Sequence, residues 1–191
     1  MNSKEKLVTF FETDYPLNKD GVEELLALFE VVHFKKNSLL LKSGQIEQKL
    51  KFLENGVVRE FYTTKDKETN INFYAQPEFI TDFTSFNNSV VTKKYQQAIT
   101  DVELLVINKS KFVNLLNKYE CGKSFIDLTF KKLLEQKEVF EYNRITKTPE
   151  QLYKEIVKKK LCWLHKIPQY HIASFLGITP ETLSRIRKRI S

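Results

Sequence analysis

The chain is poor in the residues from which many active sites are built. Of its 191 residues, five are glycine, two are cysteine and three are histidine. We find no glycine-rich loop that could cradle a phosphate group, no serine–histidine–aspartate set and no metal-binding spacing. We therefore expect a protein that is not an enzyme and that holds no metal ion and no resident cofactor.

Cysteines and long apolar runs are also scarce. Cys121 and Cys162 are far apart and form no Cys-x-x-Cys motif, which argues against a disulfide framework and indicates a reducing compartment. No segment approaches the ~20 apolar residues of a membrane span. The first residues, MNSKEKLVTFFETDYPL, include acidic side chains and no signal-peptide core. We expect a cytoplasmic protein with no membrane contact.

Tracts rich in proline, glycine or serine are missing too, which argues against disorder. Instead, 41% of the residues are hydrophobic, and 15 phenylalanines and eight tyrosines indicate a sheet core. Asn18 is predicted to cap a short helix. Apolar runs separated by turns follow it: EVVHFKKNSLLLKSGQ, KLKFLENGVVREFYTT, TNINFYAQPEF and YQQAITDVELLVINKSKF. Asn55-Gly56 predicts a type I′ hairpin turn. Residues 1–118 are thus predicted to form a sandwich or barrel-like roll of strands.

Residues 122–147 are predicted to form one long helix. Its apolar side chains recur every three or four residues in a heptad-like stripe of Ile126, Phe130, Leu133, Lys137 and Phe140. Either the stripe packs on the chain's own roll, or it forms the seam of a homodimer. We favour the dimer, because Phe125, Leu128 and Val139 on another face could pack on the roll. Residues 119–147 are therefore interpreted as a dimerisation helix.

Positive charge is concentrated in the C-terminal quarter. Residues 148–191 contain nine lysines and arginines and three glutamates, whereas 22 basic and 21 acidic residues nearly cancel in residues 1–147. A basic segment on a neutral body indicates a polyanionic partner, most often nucleic acid. Thr148-Pro149 is typical of a helix start, so we place a domain boundary there.

The segment IASFLGITPETLSRIRKRI, residues 172–190, has the pattern of a helix-turn-helix. Ala173 is small enough for two helices to approach closely, and Gly177 suits the turn between them. Thr179 and Pro180 are typical of the first residues of the second helix. The inner stripe of that helix is predicted to consist of Leu183, Ile186 and Ile190.

The outer strip of the second helix is predicted to enter the major groove of double-stranded DNA. Arginine can donate to O6 and N7 of guanine, and glutamate can accept from N4 of cytosine. The predicted base-reading residues are Glu181, Ser184, Arg185 and Lys188. Phosphate contacts position a protein without reading sequence. The predicted phosphate ligands are Lys158, Lys159, Lys160, Thr179, Thr182, Arg187 and Arg189. Residues 148–191 are therefore interpreted as a DNA-binding domain.

These features together resemble a Crp/Fnr-family transcription regulator over nearly the whole chain. LLLKSG, FLENGVVREFY and AQPEFITDFTSF are similar to segments of that family's cyclic-nucleotide-binding-type roll, and IASFLGITPETLSRIRKRI is similar to its DNA-reading segment. The resemblance implies an α+β fold: an N-terminal antiparallel, jelly-roll-like β-roll with flanking helices, a long dimerisation helix and a C-terminal all-α helix-turn-helix domain. It implies a homodimer that binds double-stranded DNA, with RNA polymerase as a further partner.

The resemblance also places an effector pocket at Asp82, Thr92 and Lys93. Nucleotide-binding members have a Gly-Glu pair for the ribose and an Arg-Ser pair for the cyclic phosphate, where this chain has Thr81-Asp82 and Thr92-Lys93. Asp82 could accept from a ribose hydroxyl, but lysine lacks the fork of donors that arginine offers a phosphate. The two distant cysteines cannot hold the iron–sulfur cluster of oxygen-sensing members. We therefore expect no response to cyclic AMP and an unknown effector.

In the DNA-reading segment, the resemblance implies that Glu181 and Arg185 read bases, whereas Pro180 replaces an arginine of the family. Because the sequence ends at Ser191, we expect no DNA contacts from a β-hairpin wing. The alternative function is a receptor for a cyclic nucleotide or another small ligand, whose basic tail contacts protein or RNA.

Overall fold

An antiparallel β-roll forms the N-terminal part of the molecule. The computed structural model describes residues 7–9, 11 and 17–190, except the side chain of Lys159. The strands of this described part are β1 (Glu30–Phe34), β2 (Leu39–Leu41), β3 (Lys49–Asn55), β4 (Val58–Thr63), β5 (Glu68–Tyr74), β6 (Glu78–Phe79), β7 (Tyr95–Ala98) and β8 (Val102–Asn108). They pair antiparallel in two sheets, of order β1-β8-β3-β6 and β2-β7-β4-β5. The predicted jelly-roll-like architecture is confirmed.

The connection between β3 and β4 is not the predicted hairpin, because the two strands belong to different sheets and do not pair with each other. Gly56 has a φ of +100°, and a Cβ atom on it would lie 2.4 Å from the carbonyl oxygen of Asp101. Asn55 is the last residue of β3 and does not have a positive φ. The predicted type I′ turn at Asn55-Gly56 is therefore wrong, because that turn needs a positive φ at both central residues.

Short helices flank the roll. They are α1 (Lys19–Ala27), α2 (Phe83–Asn88) and α3 (Lys109–Lys118), and residues 7–9 and 11 are helical as well. Asn18 caps α1 as predicted, because its side-chain oxygen accepts a hydrogen bond from the Gly21 N–H at 2.8 Å. Leu25 of α1 and Phe112 of α3 belong to the same buried apolar cluster, which attaches the helices to the roll.

The rest of the chain is helical. The elements are α4 (Gly122–Thr146), α5 (Pro149–Lys159), α6 (Leu161–Lys166), α7 (Gln169–Leu176) and α8 (Pro180–Ile190). Helix α5 starts at the predicted cap: the Thr148 hydroxyl accepts from the Gln151 N–H at 3.3 Å, and the Gln151 side chain accepts from the Thr148 N–H at 2.8 Å. None of the described helices combines the length and the apolar character needed to cross a bilayer.

Candidate nucleic-acid interface and effector pocket

A short turn, with Gly177 in the left-handed conformation, joins the two helices of the predicted helix-turn-helix. Gly177 follows the last residue of α7 with a φ of +70°, and the Ile178 N–H donates to the Ala173 carbonyl at 3.0 Å. A Cβ atom on Gly177 would meet nothing within 4 Å in the described part of the chain. Glycine is therefore needed here for its backbone conformation and not for space.

Helix α8 has a buried side and an exposed side. Leu183 and Ile186 are buried, and Ile190 is partly buried in the same apolar cluster. The predicted base-reading residues lie on the opposite side of the helix and are all exposed: Glu181, Ser184, Arg185 and Lys188. The structure thus brings these four side chains together in one outward strip.

The first turn of α8 is organised by two threonines. The Thr182 N–H donates to the Thr179 hydroxyl oxygen at 3.3 Å, and the two hydroxyl oxygens lie 3.2 Å apart. Hydrogen bonds from its own backbone N–H and from the Thr179 hydroxyl hold the pKa of Glu181 below its ordinary value. The Glu181 carboxylate is therefore ionised at neutral pH, and it can only accept hydrogen bonds.

The predicted phosphate ligands near α8 lie in different surroundings. The side chains of Lys158 and Arg187 are exposed. Arg189 pairs with Glu150 of α5, with 2.7 Å between guanidinium nitrogen and carboxylate oxygen. A phosphate contact by Arg189 would therefore compete with this ion pair. The side chain of Lys159 lies outside the described residues.

Lys160 is placed differently from these residues. Its ammonium nitrogen lies 3.9 Å from the centre of the Trp163 ring. Burial lowers the pKa of Lys160, and the negative charge of Glu78 on β6 partly opposes this. Lys160 thus packs its ammonium group on Trp163, although the residue as a whole is exposed.

Helix α7 is attached to strand β5 of the roll by hydrogen bonds. The Ser174 hydroxyl accepts from the Asn70 N–H at 3.1 Å and donates to the Glu68 carbonyl at 3.1 Å. The Asn70 side-chain amide donates to the His171 carbonyl at 3.2 Å. The same amide nitrogen lies 3.2 Å from Nδ1 of His171. These contacts fix the orientation of the helix-turn-helix relative to the roll.

Aromatic rings close the same interface. Phe73 of β5 packs edge-on against Trp163, with ring centres 5.0 Å apart, and Trp163 packs edge-on against Phe175 at 5.4 Å. Phe140 of the long helix lies 6.3 Å from Phe175, centre to centre. The roll, the long helix and the C-terminal helices therefore meet at one aromatic cluster.

His171 lies at this interface as a neutral side chain. Burial and the positive charge of Arg59 lower the pKa of His171 to about 4, although the negative charge of Glu68 acts in the opposite direction. At neutral pH the imidazole is therefore uncharged, which suits a ring packed 6.4 Å from that of Phe73.

Inside the roll, two of the three residues predicted for the effector pocket come together. The Thr92 hydroxyl donates to Asp82 Oδ2 at 2.6 Å, and both side chains are buried. Lys93 is exposed and points away. Its neighbour Lys94 reaches inward, with Nζ 3.6 Å from Asp82 Oδ1 and 3.5 Å from Glu60 Oε1.

Sequence reasoning did not select Lys94 or Glu60, although a signal for Lys94 was present. Side chains alternate between the two faces of an extended chain. If Thr92 points into the roll, Lys94 and Gln96 must point inward and Lys93 outward, as the burial of these residues shows. The position of Glu60 had no comparable signal, because it depends on which strands are paired.

A second ion pair extends the polar interior. Lys51 Nζ lies 2.6 Å from Glu47 Oε2 and donates to Gln96 Oε1 at 2.7 Å. The Gln96 amide nitrogen donates to Glu60 Oε1 at 3.3 Å and to the Ile80 carbonyl. Burial raises the pKa of Glu60, even though nearby lysine favours its ionised form. The interior thus holds a connected network of carboxylates and ammonium groups.

The long helix α4 exposes most of its length. Of its 25 residues, all of them described, Phe125 alone is buried. In the predicted seam, Ile126 is 43% exposed, Phe130 and Leu133 are partly buried, and Phe140 turns toward Phe175 of the same chain. Further exposed apolar side chains that the prediction omitted are Leu134, Tyr142 and Ile145.

Comparison with known proteins supports this architecture. Residues 31–119 match the family model of the cyclic nucleotide-binding domain. No curated protein matches the sequence. The catabolite activator protein of Thermus thermophilus is similar in structure, with 18% identity over 96% of this chain and 86% of that chain, and a TM-score of 0.58.

Two further solved structures are similar over most of the chain. A mutant of CooA from Carboxydothermus hydrogenoformans has 18% identity over 100% of this chain and 84% of that chain, with a TM-score of 0.64. The c-di-GMP-responsive global regulator CLP of Xanthomonas campestris has 17% identity over 91% of both chains, with a TM-score of 0.65. At these identities the likeness shows a shared fold.

Proposed function

Because this chain has the fold of the Crp/Fnr-family regulators, as its sequence predicted, we propose that it is a homodimeric, sequence-specific DNA-binding transcription regulator. The observation that carries the proposal is the outward strip on α8. Its side chains are exposed and polar, while the opposite side of the helix is buried at Leu183 and Ile186. A helix presented in this way can enter the major groove while its own domain holds it rigid.

In this function, the side chains of the strip contact bases, and residues around the strip contact phosphates. Arg185 donates to guanine, and Glu181 accepts from cytosine. Lys188 and Ser184 complete the base-reading side. Phosphate contacts come from residues around the strip, of which Lys158, Thr179 and Arg187 are exposed and Thr182 is partly buried, and from Lys159.

Dimerisation is proposed to occur along helix α4. Its apolar side chains Ile126, Leu134, Tyr142 and Ile145 are between 43% and 84% exposed in the single chain. Burying this helix against a second copy would remove that apolar surface from water. Two recognition helices would then lie one DNA turn apart, at a spacing of ~34 Å, and would read a roughly palindromic site.

The test is a selection from random-sequence duplex DNA with the full chain, followed by fluorescence anisotropy on the selected site at several salt concentrations. We expect a palindromic consensus that is bound at least ~1000-fold more tightly than random DNA. Binding that is weak, independent of sequence and lost as salt rises would overturn the proposal, because it would reflect phosphate attraction alone.

The alternative function, a small-ligand receptor whose basic tail contacts protein or RNA, is favoured by the match of residues 31–119 to the cyclic nucleotide-binding domain. Calorimetric titration with cyclic AMP and cyclic GMP distinguishes the two. We expect no heat of binding, because Thr92 and Lys93 stand where nucleotide-binding members have the Arg-Ser pair for the cyclic phosphate, and lysine lacks the fork of donors that arginine offers. A role for RNA polymerase as a partner stays a prediction.

A further inference from the structure

The residues of the effector pocket carry a charge that opposes a cyclic nucleotide. Glu60 and Asp82 are 5% and 4% exposed, and both carboxylates point to the same place in the roll. A cyclic nucleotide brings one phosphate charge, which is also negative. The side chains here therefore do not fit the ligand that the fold family implies. They fit a cation.

We propose that this pocket is a site for a primary ammonium group, and that the Lys94 side chain of the protein itself fills it. The ammonium nitrogen lies between two carboxylates from different parts of the chain, 3.5 Å from Glu60 Oε1 and 3.6 Å from Asp82 Oδ1. Lys94 is thus a tethered ligand of this pocket. The inference concerns the roll and does not rest on DNA binding.

The oxygen atoms of the site show that the ammonium is needed. Asp82 Oδ2 accepts from the Thr92 hydroxyl at 2.6 Å, but Asp82 Oδ1 is buried and no hydrogen-bond donor in the described residues reaches it. The positive charge of Lys94 is the group that compensates this oxygen. A buried carboxylate oxygen without compensation is costly, so the site favours a cation with N–H donors.

The neighbouring lysine cannot take over this role. Lys51 already pairs with Glu47 at 2.6 Å and donates to Gln96, so its charge is balanced within the network. The Gln96 amide in turn donates to Glu60 and to the Ile80 carbonyl. Without Lys94, the network would hold three carboxylates and one ammonium group, and Glu60 and Asp82 would face each other.

The protonation behaviour of Lys94 agrees with this geometry. Burial by itself would lower the pKa of Lys94, yet the carboxylates of Glu60 and Asp82 raise it above its ordinary value. The side chain remains 28% exposed, so the ammonium enters from the rim of the roll. A small amine from solution could therefore reach the same position if the lysine side chain were removed.

Chemical rescue tests the proposal. Lys94→Ala in the full chain is expected to lower the melting temperature by roughly 5–10 °C, because it leaves two buried carboxylates unpaired. Methylammonium chloride should restore much of this loss in a saturable way. Sodium chloride at the same concentration should not, nor should tetramethylammonium, which has no N–H donor. The matched control is Lys93→Ala, since Lys93 is adjacent but exposed.

Two results would overturn the proposal. One is a Lys94→Ala protein that is as stable as Lys93→Ala, or that responds equally to all three salts. The other is cyclic AMP binding to the unmodified protein in a calorimetric titration.

If Lys94→Ala does not fold, Lys94→Met combined with Glu60→Gln replaces it. The double variant should be more stable than Lys94→Met alone, because one carboxylate is removed together with its cation. A double variant no more stable than the single one contradicts the proposal.

Discussion

The lysines inside the β-roll and the basic residues of helix α8 carry the same charge but meet opposite surroundings. Lys51 is 3% exposed and is bound to Glu47 and Gln96, and Lys94 lies between two carboxylates. Arg185 and Lys188 point outward from a helix whose other side is buried. The first pair holds the fold together, and the second is available to a partner. Burial and pairing therefore decide what a charge does, more than the net charge of +7.

The largest effect is expected from breaking the ion pair inside the roll. Lys51→Met leaves the Glu47 carboxylate buried without its cation, which should cost about 3–5 kcal/mol of folding free energy. Urea denaturation followed by circular dichroism measures this loss. Lys49→Met is the matched control, because Lys49 lies on the same strand with an exposed side chain. Equal losses in the two variants would show that the buried pair has no special role.

The contact between helix α7 and strand β5 of the roll, where His171 lies, should weaken in acid. The pKa of His171 is lowered to about 4 from an ordinary value of 6.5 by burial and by Arg59, while Glu68 opposes them. A lowered pKa means that the stabilisation is complete above pH ~6.5 and is lost as the pH falls toward 4. Allowing for the partial exposure of the ring, we expect a loss of about 1–2 kcal/mol between pH 7.5 and 5.

This pH effect is measured as the difference between the unmodified protein and His171→Gln in denaturation curves at each pH. The variant should show a flatter pH profile. His165→Gln serves as the control, because His165 is exposed on the neighbouring helix α6. An unchanged slope in His171→Gln would exclude His171 as the source.

Substitutions in the exposed strip should weaken DNA binding and leave stability nearly unchanged, whereas substitutions inside the roll should lower stability. Arg185→Ala is expected to weaken binding to the selected DNA site by ~1–3 kcal/mol and to relax specificity at one base pair. Stability should change by less than ~0.5 kcal/mol, because the side chain is exposed. Lys158→Ala should weaken binding to specific and random DNA equally. Lys42→Ala on the roll should change neither the DNA affinity nor the stability. Equal loss on specific and random DNA for Arg185→Ala would contradict its role as a base reader.

The smallest effect is expected from the ion pair between Arg189 of α8 and Glu150 of α5. Glu150→Gln releases Arg189 from an exposed ion pair, so Arg189 can meet a phosphate without competition. DNA affinity should rise by on the order of twofold at low salt, and the gain should disappear at high salt. Anisotropy at two salt concentrations measures it. A decrease in affinity would mean that the pair positions α5 for binding.

Much of the fold could be predicted from local sequence patterns. The strands followed from apolar runs and turn residues, and Asn18 and Thr148 marked helix starts that the structure shows. The helix-turn-helix followed from Ala173, Gly177 and the apolar stripe of α8. The hairpin predicted at Asn55-Gly56 was wrong, because β3 and β4 join different sheets and only Gly56 of this pair adopts a positive φ.

The sequence by itself determined where helices and strands form and which side of α8 faces outward, because spacing, caps and turns act over a few residues. Tertiary structure alone decided which distant groups meet. Phe140 packs against Phe175 of the same chain, and Ser174 forms a hydrogen bond with Asn70, 104 positions away. Lys94 lies between the carboxylates of Glu60 and Asp82. Such contacts depend on strand order and domain packing, and the energy of a charge depends on the partners and the burial that this packing provides.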